Sequence, residues 1–269
     1  MEDFQSQPRV ALLLDAHKTD PLVFYQFRTL TEALSPEIAV FLIYHAPKAE
    51  FMVRSNIIVL NDEEIFLRQS SLKRGTSQII PGNPDLKMIR SAELLSEFDY
   101  YLRMEFDVLC VSPVRDTIFR TINRFITYDF VGARLVDKQR YPGFFWWNTL
   151  SVPESIGTAL RPADIWKAFL PLCFCSRSFI ESYRDALALG WRGHYEVTMP
   201  TIAALAGFKI CDFESKWPGM TNDRNFRADK ISDPQKLDSE FVHPVKDINL
   251  AMEMFGFREM AVACERSRE

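Results

Sequence analysis

The chain has 269 residues, of which 47% are hydrophobic, and a formal net charge of −4 at pH 7. This length suits one large α/β domain or two small ones, with enough apolar residues to bury a sizeable core. A slightly acidic chain lacks the basic face of a general nucleic-acid binder, so we expect no nucleic-acid partner. The apolar runs stay well short of the about 20 residues that span a bilayer. The polar, acidic start is not typical of a signal peptide.

The five cysteines are odd in number and scattered along the chain. This pattern argues against a disulfide framework. Cys173 and Cys175 are separated by one residue, which is the wrong spacing for a zinc knuckle. We therefore expect reduced cysteines in a cytoplasmic protein.

The first hundred residues predict alternating strands and helices. Residues 10–14 form an apolar run typical of a buried parallel strand, and residues 22–34 carry an apolar stripe with helical spacing. The pattern predicts further strands at 38–44 and 57–60, a turn at 82–85 and a helix at 86–96. Such alternation with short connections predicts an α/β fold, with a mostly parallel sheet and helices on both faces.

The second half is more varied and contains no clear linker. It predicts a helix at 114–125, a strand at 130–133, helices at 178–189 and 196–206, and a short strand at 208–212. Residues 141–148 are the most aromatic stretch of the chain. The polar segment 216–239 is rich in turn-forming residues and predicts a long surface loop.

Residues 98–104 predict a buried strand that ends in two carboxylates, Glu105 and Asp107. Ligands of open α/β sheets bind at the carboxyl ends of strands, and alternate strand residues point to the same side. Mg²⁺ and Mn²⁺ prefer carboxylate oxygens and often keep substrate phosphates as further ligands. The pair is therefore a candidate site for a cation carrying a diphosphate, although solvated acids at a strand end are common.

Two later segments add polar candidates. Glu196 follows Gly193 and His194 at a predicted helix start. There it is either a helix-dipole partner or a general base that takes the proton of an acceptor hydroxyl. His194 is a candidate contact for the acceptor or a phosphate. Near the end of the chain, His243 offers an imidazole suited to manganese, and Lys246 offers an ammonium suited to phosphate.

The order of these segments resembles the GT-A class of nucleotide-sugar glycosyltransferases: a hydrophobic strand, an acid-x-acid pair, a Gly-x-x-Glu helix start and a late histidine. Residues 100–108, Tyr-Tyr-Leu-Arg-Met-Glu-Phe-Asp-Val, are similar to the Tyr-Tyr-Trp-Arg-Val-Glu-Pro-Asp-Val type of segment in fungal α-1,2-mannosyltransferases. The chain from 10 to 246 also resembles a poorly characterised group of bacterial and fungal GT-A-like proteins. The matching segments are 99–101, 105–108, 169–173, 190–196, 200–201 and 243–246.

The resemblance implies a single GT-A-like domain, with a nucleotide-binding part at about 8–110 and an acceptor-binding part at about 111–250. It implies that Glu105, Asp107 and His243 hold Mn²⁺ or Mg²⁺, with Asp107 as the expected direct ligand, and that Lys246 contacts a phosphate. Most GT-A enzymes have Asp where this chain has Glu105, so this residue could meet the metal, a water or the ribose. Glu196 takes the position of the base in inverting enzymes. The fungal mannosyltransferases retain configuration, so the stereochemistry stays open.

Four further residues are weaker candidates. Asp15 begins the loop after the first strand, where GT-A enzymes hold the nucleotide, and Lys87 follows the turn at 82–85. Both are candidate nucleotide contacts or ordinary loop and helix residues. Trp146 and Trp147 could stack on an acceptor sugar, or pack in the core or in a partner interface.

The resemblance implies metal-dependent transfer of a hexosyl group from a nucleoside-diphosphate sugar, with a UDP-sugar as the expected donor. The implied acceptor is a glycan, a polysaccharide or a lipid-linked molecule, and peripheral contact with the inner membrane face or a polysaccharide-assembly complex is a further expectation. One alternative is a metal-dependent nucleotidyl or phosphoryl transferase, although two-metal sites usually need more carboxylates. Another is an inactive GT-A-like binding protein, which a separation of more than about 10 Å between the three metal ligands would favour.

Overall fold

A computed structural model describes residues 8–69, 83–154, 160–228, 237–249 and 251, without the side chains of 66–69. The predicted turn at 82–85 and loop at 216–239 lie partly outside these residues, and the N-terminal seven residues and Cys264 lie wholly outside them. The four described cysteines, Cys110, Cys173, Cys175 and Cys211, are free and buried, as expected for reduced thiols.

The described part contains ten strands and seven α-helices. The strands are β1 (Val10–Ala16), β2 (Ala39–His45), β3 (Met52–Arg54), β4 (Ile57–Leu60), β5 (Tyr100–Glu105), β6 (Leu109–Cys110), β7 (Phe130–Asp137), β8 (Trp166–Ser176), β9 (Ile210–Asp212) and β10 (Phe241–Val242). The helices are α1 (Pro21–Leu34), α2 (Asp62–Gln69), α3 (Pro84–Leu94), α4 (Val114–Phe125), α5 (Arg177–Ala188), α6 (Tyr195–Leu205) and α7 (Phe213–Lys216). Short 3₁₀ turns occupy Phe145–Thr149 and Pro162–Asp164.

Eight of these strands form one sheet in the order β3-β4-β2-β1-β5-β8-β7-β9. Only β3 and β8 run against the other strands of this sheet. The predicted α/β class with a mostly parallel sheet is therefore confirmed. The register pairs Asp15 of β1 with Glu105 of β5, so both residues lie at the carboxyl edge of the sheet.

Helices cover both faces of the sheet and enclose two apolar cores. Leu12 and Leu14 of β1 pack in the core that includes α1 and α4, while Leu13 belongs to the core beneath α3, α5 and α6. Successive residues of β1 are thus buried on opposite faces. This explains why the strand is an uninterrupted apolar run and not an alternating pattern.

The long strand β8 was not among the predicted strands. It contains Pro171, which cannot donate to a strand ladder and is unusual in a central strand. Its pairing with β7 shifts register between Gly132 and Ala133, opposite the segment that contains Pro171. The irregularity therefore falls where a backbone donor is missing.

A separate two-stranded ribbon links the end of the chain to the site edge. β10 pairs antiparallel with β6, so that Phe241 lies opposite Cys110 and Val242 opposite Leu109. This pairing brings the residues after Val242 beside the residues that follow β5. Among the described helices, none is long and apolar enough to cross a membrane.

Candidate metal centre and acceptor face

The two carboxylates of the acid-x-acid pair lie around a tight turn at the end of β5. Glu105 is the last residue of the strand, and Asp107 lies in the turn. The Phe106 amide donates to the Asp15 carbonyl at 3.0 Å, and the Val108 amide donates to the Glu105 carbonyl at 2.9 Å. The turn is thereby fixed to the carboxyl edge of β1.

The ribbon of β6 and β10 delivers His243 to these carboxylates. The Val245 amide donates to the Asp107 carbonyl at 2.8 Å, which fixes the two segments side by side. Nδ1 of His243 lies 2.7 Å from the carbonyl oxygen of Arg227. A carbonyl only accepts, so Nδ1 carries the proton and the lone pair of the neutral ring is on Nε2. Nε2 lies 3.6 Å from Oδ1 of Asp107 and 3.7 Å from Oε2 of Glu105.

The resulting donor set fits a divalent cation. One ligand atom from each of Glu105, Asp107 and His243 lies within 4.8 Å of the other two. Oδ1 of Asp107 is buried and has no hydrogen-bond partner in the described part of the chain. A buried carboxylate oxygen without a partner costs free energy, and a shared cation would relieve that cost. The two carboxylates suit Mn²⁺ or Mg²⁺, and a neutral imidazole is a common ligand of divalent metals. A separation of more than about 10 Å would have favoured an inactive binding protein, and the three groups are much closer than that.

The two carboxylates have opposite pKa shifts. Burial would raise the pKa of Glu105, but the positive charge of Arg103 and of His243 in its protonated form outweighs it and brings the pKa to about 2. The pKa of Asp107 is raised, first by burial and then by the charge of Glu105. Asp107 is only 5% exposed, which explains why burial dominates there.

A buried network of charges lies beneath the candidate centre. Arg103 Nε donates to Asp15 Oδ2 at 2.9 Å, and Nη2 donates to Glu105 Oε1 at 3.1 Å. Lys87 is ion-paired with the other oxygen of Asp15. Asp15 and Lys87 were predicted to contact the nucleotide. Their side chains are buried and ion-paired with each other, and Asp15 also holds Arg103. A nucleotide contact through either side chain would have to replace part of this pairing.

The same arginine reaches towards Glu196 through the backbone of β8. Arg103 Nη1 donates to the Leu170 carbonyl at 2.8 Å, and the Leu170 amide donates to Glu196 Oε1 at 3.4 Å. Glu196 is in the first turn of α6 and is 8% exposed. Burial raises its pKa to about 7. A carboxyl group with this pKa can exchange a proton near neutral pH.

His194, and not Glu196, caps α6. Nδ1 of His194 accepts a hydrogen bond from the Glu196 amide at 3.4 Å. The indole of Trp146 stacks on the imidazole, with ring centroids 4.3 Å apart and planes 3° apart. Gly193 precedes this pair with φ +140°, and a Cβ there would lie 3.0 Å from the Thr149 carbonyl oxygen.

The two tryptophans that were predicted to contact the acceptor differ in exposure. Trp146 is half-buried beside His194, so it remains a candidate for acceptor contact. Trp147 is buried, and its Nε1 donates to the Tyr141 carbonyl at 2.9 Å. The indole of Trp147 is therefore packed and hydrogen-bonded within the protein, which disfavours stacking on a sugar. Lys246 lies at the rim of the centre, with a side chain 58% exposed and Nζ 4.0 Å from Asp107 Oδ2.

Two charged residues near the site were not candidates from sequence: Arg103 on β5 and Lys167 on β8. Each interrupts an apolar strand sequence. A charged side chain inside such a strand is rarely buried without a partner, and this signal could have marked both.

No protein-family model and no curated protein matches the chain. Three solved structures that resemble it are glycosyltransferases. A glycosyltransferase involved in glycosylation of the major capsid of PBCV-1 has 11% identity and a TM-score of 0.34, over 65% of this chain and 62% of its own. This chain therefore spans less than two thirds of that enzyme. Mouse xyloside xylosyltransferase 1 in its apo form has 9% identity and a TM-score of 0.37, over 74% and 81%. The galactosyltransferase LgtC, solved with donor and acceptor sugar analogues, has 15% identity and a TM-score of 0.35, over 76% and 72%. Each TM-score is below 0.5, and structural similarity at this level carries no argument about shared chemistry.

Proposed function

We propose that this chain is a metal-dependent GT-A-type glycosyltransferase that uses a nucleoside-diphosphate sugar, with a UDP-sugar as the expected donor. The observation that carries the proposal is the convergence of Glu105, Asp107 and His243 at the carboxyl edge of a mostly parallel sheet, with the Asp107 Oδ1 atom buried and without a hydrogen bond. Ligands of open α/β sheets bind at this edge.

These three residues would hold Mn²⁺ or Mg²⁺ through Glu105 Oε2, Asp107 Oδ1 and His243 Nε2. When bound, the cation would neutralise negative charge on the diphosphate leaving group. Glu105 turns Oε2 towards the centre, because its Oε1 accepts a hydrogen bond from Arg103. Lys246 is exposed at the rim and would add a positive charge for a phosphate oxygen.

Glu196 would act as the general base for the acceptor. It is buried beside the backbone of β8, and its pKa of about 7 leaves a large fraction as carboxylate at neutral pH. In this role it would take the proton of an acceptor hydroxyl as that oxygen attacks the anomeric carbon. A base in this position implies inversion at that carbon.

The acceptor would be a glycan, a polysaccharide or a lipid-linked sugar, bound next to Glu196. Trp146 and His194 form a flat stacked pair at the start of α6. Aromatic faces of this kind suit the CH-rich face of a sugar ring. We place acceptor contact at Trp146 and His194 and leave Trp147 to packing.

The test is a product screen of the full chain with Mn²⁺ and UDP-, GDP-, dTDP- and CMP-sugars. We expect metal-dependent release of a nucleoside diphosphate from one of the first three. The CMP-sugar carries a single phosphate and serves as the contrast. Formation of pyrophosphate would identify a nucleotidyl transferase instead, and the absence of any product would favour a binding protein.

Asp107→Asn removes the charge of the buried ligand oxygen and should abolish product release. The matched control is Asp116→Asn, at an exposed aspartate in the first turn of α4. This control should keep the activity of the unmodified chain. Equal product release by the two variants would contradict the proposed site.

A further inference from the structure

Lys167 on β8 is buried without a negatively charged partner. The residue is 7% exposed, and its Nζ lies 4.9 Å from the ring centroid of Tyr141 and 5.0 Å from that of Phe144. Within the described residues, no carboxylate forms an ion pair with this ammonium and no acceptor takes a hydrogen bond from it. An ammonium has three N–H donors, and contacts with aromatic faces do not replace hydrogen bonds to an acceptor.

The acidic groups around Lys167 are already engaged elsewhere. Asp223 is ion-paired with Arg134 at 2.7 Å. Asp212 accepts the amides of Leu135 at 2.6 Å and Glu214 at 2.8 Å. On α6, Glu196 accepts the Leu170 amide at 3.4 Å. These groups influence Lys167 only at longer range, and burial is the main cause that lowers its pKa.

The rings over Lys167 belong to an exposed aromatic surface. Tyr141 is 48% exposed and Phe145 is 77% exposed. The same segment continues to Trp146, which stacks on His194 beside Glu196. The buried ammonium of Lys167 therefore lies among aromatic side chains, in the same segment as Trp146, where we propose that the acceptor binds.

We propose that Lys167 marks an acceptor subsite for an anionic group, a carboxylate or a phosphate, carried by the sugar that stacks on the Tyr141–Trp146 surface. The ammonium would donate hydrogen bonds to the anion, and the exposed rings would cover the sugar. This inference rests on the proposed glycosyl transfer, and it narrows the acceptor to an acidic glycan or a phosphorylated sugar.

The test measures binding of three probes to the full chain by calorimetry, with and without Mn²⁺ and UDP. Methyl β-D-glucuronide and methyl β-D-glucoside differ mainly in one carboxylate, and glucose 1-phosphate supplies the phosphate arm. We expect at least one anionic probe to bind about tenfold or more tightly than the neutral glucoside. The arm that shows the preference identifies the carboxylate or the phosphate as the ligand.

Lys167→Met should remove this preference, and Lys167→Arg should keep part of it. The control is Lys209→Met, at an exposed lysine before β9. Equal binding of neutral and anionic probes by the unmodified chain, or a retained preference in Lys167→Met, would overturn the proposal. If Lys167→Met does not fold, Lys167→Gln takes its place: loss of the preference in Lys167→Gln supports the subsite, and a preference equal to that of Lys209→Met overturns it.

The failure of this inference can be told apart from failure of the proposed function. Lys167 is not among the candidate metal ligands, so Lys167→Met should keep the effect of Mn²⁺ and UDP on the melting temperature. A preference for anionic probes, with no effect of Mn²⁺ and UDP on the melting temperature, would support the anion subsite and contradict the proposed glycosyltransferase function. A melting temperature raised by Mn²⁺ and UDP, with no preference for anionic probes, would support the proposed function and contradict the subsite.

Discussion

Arg103 donates a hydrogen bond to Oε1 of Glu105 at 3.1 Å, so that Oε2 is the oxygen that faces His243. The same guanidinium is ion-paired with Asp15 and bonds the Leu170 carbonyl. Arg103 therefore fixes the direction of the candidate ligand Glu105 and is itself fixed from two sides. Partners behind a metal ligand of this kind usually affect metal affinity strongly.

Arg103→Lys keeps the charge, but a single ammonium cannot replace three guanidinium contacts at once. We expect the affinity for Mn²⁺ in the presence of UDP to fall about tenfold, measured by calorimetry on the folded variant. Arg28→Lys is the control, because Arg28 forms an exposed pair with Glu32 on α1. An unchanged affinity in folded Arg103→Lys would show that Glu105 does not need this support.

The rate of sugar transfer should rise as the pH increases through about 7, because Glu196 must lose its proton to act as base. Glu196→Gln should lower the transfer rate about 10²-fold or more and keep the binding of Mn²⁺ and UDP. The control is Glu181→Gln, at an exposed glutamate on α5. If Glu196→Gln left the pH dependence of the transfer rate unchanged, Glu196 would not be the general base.

The raised pKa of Glu196 also predicts how stability depends on pH. The folded chain holds this proton more tightly than the unfolded chain does, so the stability from Glu196 is present below its ordinary pKa. It is lost as the pH rises through about 7. Glu196→Gln cannot ionise, so its free energy of unfolding should fall less than that of the unmodified chain between pH 5 and pH 8. Urea denaturation at several pH values measures this difference, and parallel curves would contradict it.

Lys246→Ala should weaken UDP binding in the presence of Mn²⁺ by about three- to tenfold, because an exposed ammonium contributes a modest, salt-dependent attraction. Mn²⁺ binding without UDP should not weaken, because Lys246 is not a ligand. Lys209→Ala, at the opposite edge of the sheet, should change neither affinity. Equal loss of Mn²⁺ binding with and without UDP would show that Lys246 acts on the metal site and not on the phosphate.

Gly193→Ala should lower the free energy of unfolding by about 1–3 kcal/mol, because φ +140° is strained for any residue with a Cβ. The added atom would also press on the Thr149 carbonyl and move His194. The control is Gly143→Ala, where a Cβ would meet nothing within 4 Å. Urea denaturation compares the two variants, and similar stability of both would contradict this requirement for glycine.

The sequence was sufficient to predict the parallel part of the sheet, because β1, β2 and β4 are short apolar runs between turn signals. It also placed Glu105 and Asp107 at a strand end. Convergence of His243 with them was an expectation from resemblance, since no periodicity links residues so far apart. The physical link is the pairing of β10 with β6, two strands of two residues each. Such short strands have no recognisable sequence pattern.

The pairing of buried charges could not be predicted from the sequence. Asp15, Lys87 and Arg103 lie on β1, α3 and β5, and only the folded sheet brings them together. Asp15 and Lys87 looked like loop, helix or ligand-binding residues when taken alone, and Arg103 was not singled out within its strand. The strand β8 was missed because Pro171 and Lys167 are atypical of a central strand.

Mn²⁺ binding measured by electron paramagnetic resonance, with and without UDP, tests the proposed metal centre most directly. About one Mn²⁺ per chain should bind in the presence of UDP, since Glu105, Asp107 and His243 form one compact centre. Asp107→Asn should lose that ion and Asp116→Asn should keep it. Equal Mn²⁺ binding by these two variants, or no Mn²⁺ binding by the unmodified chain with any nucleoside diphosphate, would contradict the proposed metal centre.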